Sequence, residues 1–305
     1  MNVLLSGSTG LIGKRLAQRL KNECNVIPLG LRTTNNGVRW DPETSSTFLS
    51  PFPIDETKID AVVHLGGYPL QPIWTKRMKQ RVYHSRVNGA SILTKWLANL
   101  PETKRKRVFL SASAVGIYGT KPADYSGPPF EETAGGDGQG FLQTVARDAE
   151  KACDAIRSNI RVAHPRFGVV LDPNGGVLNQ LLLPFKLGLG GPMGEGTQIF
   201  PWVSLDDVVE ALVFALRNES EGPFNVVSPG AQETSQARFA SALGRALHRP
   251  AFVPLPGFVL NAMMGREAAD AMLLGSIKVA PKVLREAGFT FKDDNIEECL
   301  KKLLK

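Results

Sequence analysis

Cysteine is too scarce here to build a framework. Cys24, Cys153 and Cys299 are the only three in 305 residues; they are odd in number, far apart and without ligand spacing, which excludes a disulfide scaffold and a cysteine zinc site. They read as reduced and structural. The four histidines, His64, His84, His164 and His248, form no pair at metal-ligand spacing, so no metal is expected. His64 follows the apolar run AVV and reads as a core or loop histidine with its hydrogen bonds satisfied. No run approaches the roughly 18 apolar residues of a membrane span, and the Met-Asn-Val-Leu-Leu start passes into a strand without an Arg/Ser-rich presequence. The expectation is a protein without membrane association, in the cytosol by default, or in an organelle if a leader has been removed.

Acidic residues are outnumbered, and the formal charge is +7, with basic clusters KRMKQR (76–81) and KRKR (104–107). Neither is interleaved with aromatics, no nucleic-acid-binding motif accompanies them, and 104–107 falls between a helix and a strand where a solvated connection belongs. Nucleic acid is therefore not an expected partner. A preference for anionic, including phosphorylated, small molecules is the better use of the charge.

Internal repeats and low-complexity tracts are also absent. Instead, short apolar runs alternate with helical ones: 2–7, 25–31, 60–66, 107–113 and 161–171 read as strands, and the segments after 2–7, 60–66 and 107–113 as helices. That alternation predicts an α/β fold, a doubly wound parallel sheet of Rossmann type. Residues 1–170 would form the dinucleotide-binding domain, with 203–228 returning to it, and 171–202 with 229–305 a smaller C-terminal lobe. The Gly/Pro-dense stretch 188–201 is placed across the mouth of a cleft at the strand ends. Met263, Met264 and Met272 read as core filling in amphipathic helices of the lobe.

Gly7-Ser8-Thr9-Gly10-Leu11-Ile12-Gly13 stands between the first strand and the first helix. Glycines there let the backbone approach a pyrophosphate, and the helix N-terminus presents unpaired N–H groups to it. The second strand ends LGLR, with no carboxylate placed to accept from a ribose 2′-hydroxyl. Arg32 takes that position and suits a 2′-phosphate, so NADP is expected over NAD; Arg39 could share the role.

With GSTGLIG, VVHLGG (62–67), RVNGASIL (86–93), SASAVGIYG (111–119), PRFGVVL (165–171) and PWVSLDDVVEAL (201–212) in this order, the chain resembles the extended short-chain dehydrogenase/reductases of nucleotide-sugar epimerase type. SASAVGIYG, LPFKLGLGGPMGEG, FPWVSLDDV and ALGRALHRPAFVPLP further resemble an atypical branch, labelled sugar nucleotide epimerase family or cell-division inhibitor, that ends in a domain of unassigned function. The resemblance implies that Leu65, Gly66 and Gly67 run beneath the adenosine and ribose and that Asn88 lies on the helix behind the nicotinamide. It places Pro165, Arg166 and Phe167 in a loop beside that ring, and makes Ser111 or, preferably, Ser113 the counterpart of the superfamily serine.

The superfamily's next helix carries a Tyr, a Lys four residues on and an acid four beyond; the Tyr moves a proton as hydride is transferred, and the Lys lowers its pKa from about 10. In FLQTVARDAEKAC (141–153), anchoring on Glu150 puts Leu142 and Ala146 at those two positions, on the same face as Val145, Ala149 and Cys153. Neither can exchange a proton, a feature the resembled branch shares. Two readings follow. One is an NADP-dependent oxidoreductase or epimerase acting on a small or nucleotide-linked carbonyl or hydroxyl compound, with Tyr118 as the acid and Ser113 beside it. The other is a weakly active or inactive NADP(H)-binding regulatory protein, in keeping with the division-related label. Lys186 and Trp202 are candidates for the cleft wall, as a phosphate partner and a ring cover or as a solvated and a core side chain; Asp207 suits a helix N-terminus; Glu131 and Glu132 sit at the rim without assigned chemistry. The resemblance also implies a two-fold homodimer, since many members of the resembled family pair through the helices that correspond to 86–98 and 141–153.

Overall fold

A computed structural model describes residues 1–32, 36–103, 106–135, 140–218 and 220–305; Lys104 and Arg105 of the second basic cluster lie outside it. The main sheet is wholly parallel, built from β1 (Asn2–Ser6), β2 (Asn25–Gly30), β3 (Val38–Arg39), β4 (Ala61–His64), β5 (Val108–Ser111), β7 (Arg161–Phe167) and β10 (Gly222–Val226) in the order 3-2-1-4-5-7-10. A two-residue strand β6 (Ser113–Ala114) pairs with the end of β7. The strand order reverses between β1 and β4, which is where such sheets open a crevice at their carboxyl ends.

Alternation along each strand loads both faces. Val3 and Leu5 of β1, Val63 of β4 and Leu110 of β5 join α1 (Leu11–Leu20) and α6 (Leu205–Arg217) in one core, while Leu4, Val62 and Phe109 join α3 (Gly89–Ala98) in the other. Each buried Leu or Val contributes about 1.5–3 kcal/mol, so the two-faced sheet carries most of the apolar driving force. The α/β fold and the Rossmann topology are thus as the alternation predicted.

Leaving β7, the chain forms a separate parallel pair, β8 (Val169–Leu171) with β9 (Trp202–Ser204), flanked by α5 (Gly176–Lys186), α7 (Gln236–Ala246) and α11 (Ile296–Leu303). These elements pack around Trp202, Phe185, Phe239 and Leu243. Val115, Ile117, Tyr118 and Ala146 from the first part of the chain enter that same core. Conversely, Leu284 of α10 (Lys282–Glu286), with Phe289 and Phe291, packs on the main-sheet core although the tail was expected in the lobe.

Trp202 and Asp207 take structural roles weighed for them, and one other expectation changes, at Met263. Trp202 is fully buried, its Nε1 donating to Thr234 Oγ1 at 3.1 Å, and covers no cleft; the β8–β9 pairing turns it inward. Met263, at 62% exposure on α8 (Gly257–Met264), is outside the core, because Leu260 takes the inward face of that short helix. Asp207 lies in the first turn of α6, as expected; Ser204 Oγ accepts from the Asp207 N–H, and the Asp207 carboxylate also accepts the N–H groups of Lys292 and Asp293 at 2.9 and 3.0 Å. No described helix is long and apolar enough to cross a membrane.

Candidate functional site

The turn from β1 into α1 is tight enough to exclude any side chain. Gly7 has φ +71°, and a Cβ on it would come within 2.7 Å of the Leu65 carbonyl; one on Gly13 would come within 2.2 Å of the Gly7 oxygen. Gly10 caps α1 with no side-chain partner, and the first turn of the helix holds no acidic residue, so its N–H groups and its positive end face outward uncompensated. Gly10, Leu11, Ile12 and Gly13 form this turn.

On the opposite side, β4 ends at His64, whose Nδ1 lies 2.7 Å from Ser6 Oγ. Ser6 Oγ also accepts from the Gly66 N–H at 3.0 Å, so one hydroxyl ties the imidazole to the backbone that follows β4. The Arg86 backbone faces the same ring and favours its protonated form, although His64 Nε2 meets no partner at good hydrogen-bond geometry among the described residues. Burial lowers the His64 pKa to about 4, keeping the ring neutral. The pair fixes the Leu65-Gly66-Gly67 backbone beside the Gly7 turn.

The chain then enters α2 (Lys76–Tyr83), which runs into α3 through a π-helical turn, His84–Asn88, inside what the pattern predicts as one unbroken helix. Such a turn redirects side chains. Ser85 Oγ accepts from the Tyr68 N–H at 2.8 Å, Arg86 Nη1 donates to the Tyr68 carbonyl at 3.0 Å, and Asn88 Nδ2 donates to the Pro42 carbonyl at 3.3 Å. The loop after β4 and the turn after β3 are thereby held facing one another.

Between them lies a cavity of about 640 Å³, the size of a small-molecule site. Gly7, Ser8, Thr9, Arg32, Gly66 and Gly67, all singled out in the sequence, line it together. Arg39 does not: it follows buried Val38 in β3 and points outward to solvent. Asn88 acts on the cavity through Pro42 and Leu65 packs into the core behind it. Trp40, Asp41, Glu43, Tyr68 and Arg81 also form its wall and carried no motif; the only trace was the basic run 76–81, which reads as a solvated face.

The second cluster lies at the ends of β5, β7 and β10. Pro165, Arg166 and Phe167 belong to β7 and not to a loop, because parallel pairing with β10 continues to Phe167 opposite Val226. Arg166 is buried and makes a bidentate ion pair with Glu150 of α4 (Phe141–Lys151), at 2.9 and 2.8 Å. Ser113 Oγ donates to the same carboxylate at 2.6 Å. Arg166 Nη1 also donates to the Tyr118 hydroxyl, which donates to Asn225 Oδ1, both at 2.8 Å. Burial raises the Tyr118 pKa against the pull of Arg166, and the ring stacks on Phe130 at 5.2 Å. Burial acts to raise Glu150 as well, but the bonds from Arg166 win and hold it below the usual carboxylate range. Ser111 is buried at the end of β5, where its carbonyl faces His164 Nδ1 at 3.4 Å.

Facing this cluster, α4 presents Leu142, whose Cβ a side chain on Gly116 would meet at 3.8 Å, and buried Ala146. Glu132 is buried, accepts from the Asn225 N–H at 2.9 Å, and is pushed upward in pKa by burial, whereas Glu131 pairs with Lys282 at the surface. Lys186 is exposed at the end of α5. No group of three His, Cys, Asp or Glu side chains among the described residues is arranged to hold a metal ion.

The NAD dependent epimerase/dehydratase family model matches residues 3–227, from the first strand to the last of the sheet that carries both clusters. The chain belongs to that family. A domain of unknown function, DUF1731, matches 255–303 of this family member. The chain is 35% identical over 309 residues to the epimerase family protein SDR39U1 of Bos taurus, covering all of both chains. It is 33% identical to an SDR39U1 homolog of Arabidopsis thaliana described as chloroplastic, covering all of this chain and 87% of that one. Among solved structures, human SDR39U1 (isoform 2) with NADPH superposes with a TM-score of 0.88 at 30% identity, over 100% of this chain and 99% of that one. MoeE5 with UDP-glucose and NAD, at 19% identity and a TM-score of 0.72, shares the fold.

Proposed function

We propose that this family member binds NADP(H) in preference to NAD(H) and holds it without the Tyr/Lys proton relay of the superfamily. The observation that carries the preference is that Arg32, directly after β2, lines the cavity, while β2 itself ends without a carboxylate. The cavity fits the coenzyme: a Cβ would fill the Gly7 and Gly13 approach, and the bare N-terminus of α1 is suited to a pyrophosphate. The human relative whose structure contains NADPH supports the same choice. When bound, the coenzyme supplies hydride chemistry. Gly7 to Ile12 would receive its phosphates, Gly66 and Gly67 its adenosine, and Arg32 the 2′-phosphate.

The absence of a relay rests on α4. Leu142 and Ala146 exchange no protons, and Tyr118, the phenol that shares a core with Ala146, is buried with its hydroxyl both donating and accepting. The reading is therefore of a coenzyme-holding protein. Calorimetric titration should give NADPH the lower dissociation constant, and Arg32→Ala should remove the difference, roughly tenfold for one charge-assisted contact. Equal affinities in the unmodified protein would reject the preference.

One contact favours a second reading, a redox enzyme with Tyr118 as acid and Ser113 beside it: the Arg166 guanidinium donates to the Tyr118 hydroxyl and would stabilise its anion. Under that reading Tyr118→Phe abolishes hydride transfer while leaving NADPH binding intact.

A further inference from the structure

The coenzyme cavity carries acid as well as base, and the acid is the kind that rejects a phosphate. Asp41 and Glu43 stand in its wall with Arg32 and Arg81. Asp41 is engaged by its own turn, Oδ1 accepting the Glu43 N–H at 3.0 Å. Glu43 is engaged from across the cavity: Arg81 Nε on α2 donates to Glu43 Oε1 at 2.8 Å. The guanidinium is fixed twice over, since its carbon also lies 4.1 Å from the centre of the Tyr68 ring, and Tyr68 is itself held by Ser85 and Arg86.

We infer that Arg81 is a specificity-determining residue that acts through Glu43: by pairing with that carboxylate it keeps the adenosine end of the cavity open to a 2′-phosphate. The inference rests on the NADP(H) reading above. Its physical basis is charge. With the pair intact, Glu43 is offset by Arg81, and Arg32 faces only Asp41, whose Oδ1 is taken by the Glu43 N–H. With Arg81 gone, Glu43 becomes an uncompensated carboxylate in the wall. It then repels a phosphate dianion and can accept from a ribose hydroxyl, the arrangement that suits NAD(H).

The test is a cycle of calorimetric titrations with NADPH and NADH on the unmodified protein, Arg81→Met, Glu43→Gln and the double variant. Methionine keeps an apolar stem over Tyr68, and ligand-free melting temperatures check that each variant folds. Arg81→Met should weaken NADPH binding roughly tenfold without weakening NADH, and adding Glu43→Gln to it should restore most of the NADPH affinity. Glu43→Gln alone should keep the preference for NADPH. A double variant as weak for NADPH as Arg81→Met would overturn the inference, because Arg81 would then be touching the phosphate itself; so would an equal loss for both coenzymes. If the unmodified protein binds NADH as well as NADPH, the underlying preference fails, whatever the variants do.

Discussion

Tyr118 and Glu150 show how single residues divide structural from chemical roles. The Glu150 carboxylate accepts from Arg166 and Ser113 in a buried setting, so Glu150→Ala would strand a buried guanidinium and should cost about 3–5 kcal/mol in urea denaturation. Tyr118→Phe leaves Asn225 Oδ1 without its donor and should cost about 1–3 kcal/mol with NADPH affinity unchanged. The histidines set the response to acid. His64 and His164 are both lowered to about 4 by burial, so the folded state resists protons that the unfolded chain takes up near 6.5. Folded pKa values below the unfolded ones mean stability that is present above about pH 6.5 and lost as pH falls toward 4. The slope is on the order of 1.4 kcal/mol per pH unit per histidine, and Glu150, held below its ordinary range, adds its own loss at lower pH. Denaturation midpoints at pH 7.5, 6 and 5 check this; a flat profile would contradict the buried neutral assignment.

At the scale of elements, the β1 turn and the opening of α1 form a tightly constrained joint. Gly13→Ala drives a methyl against the Gly7 oxygen and should both destabilise the fold by about 1–3 kcal/mol and remove coenzyme binding. This joint was legible in the sequence because glycine spacing between an apolar strand and a helix has a local cause. The parallel sheet was legible for the same reason. The far wall was not: Glu43 and Arg81 are 38 residues apart, and tertiary contacts such as Asn88 on Pro42 and Arg81 over Tyr68 accompany their pairing. Local patterning puts Pro165 to Phe167 within a strand, and it is the family resemblance that places them in a loop; pairing with β10 carries the strand to Phe167. The apolar face of α4 was correct as a pattern, with Val145, Ala146 and Ala149 buried and Ala146 sharing a core with Tyr118.

Across the whole molecule, the C-terminal tail is tied to the main sheet. Asp207 of α6 accepts from the Lys292 and Asp293 backbone, Leu284 joins the sheet core, and Lys79 of α2 pairs with Glu267 of α9 (Arg266–Ala269) at 2.5 Å. Unfolding should consequently be one cooperative transition, with tryptophan fluorescence, which samples Trp40 and Trp96 beside the sheet and Trp202 in the lobe, tracking far-ultraviolet dichroism. Two separated transitions would show that the lobe melts alone. Coenzyme should raise this stability by mass action, by about 2.7 kcal/mol at a hundred times its dissociation constant. The central claim, that the cavity between the β1 turn and α2 takes NADP(H) with its phosphate at Arg32, is tested most directly by a crystal structure of the NADPH complex. The account predicts the pyrophosphate against Gly7 to Ile12 and the 2′-phosphate within about 3 Å of the Arg32 guanidinium. A coenzyme bound with that phosphate away from Arg32, or outside the cavity altogether, would contradict it.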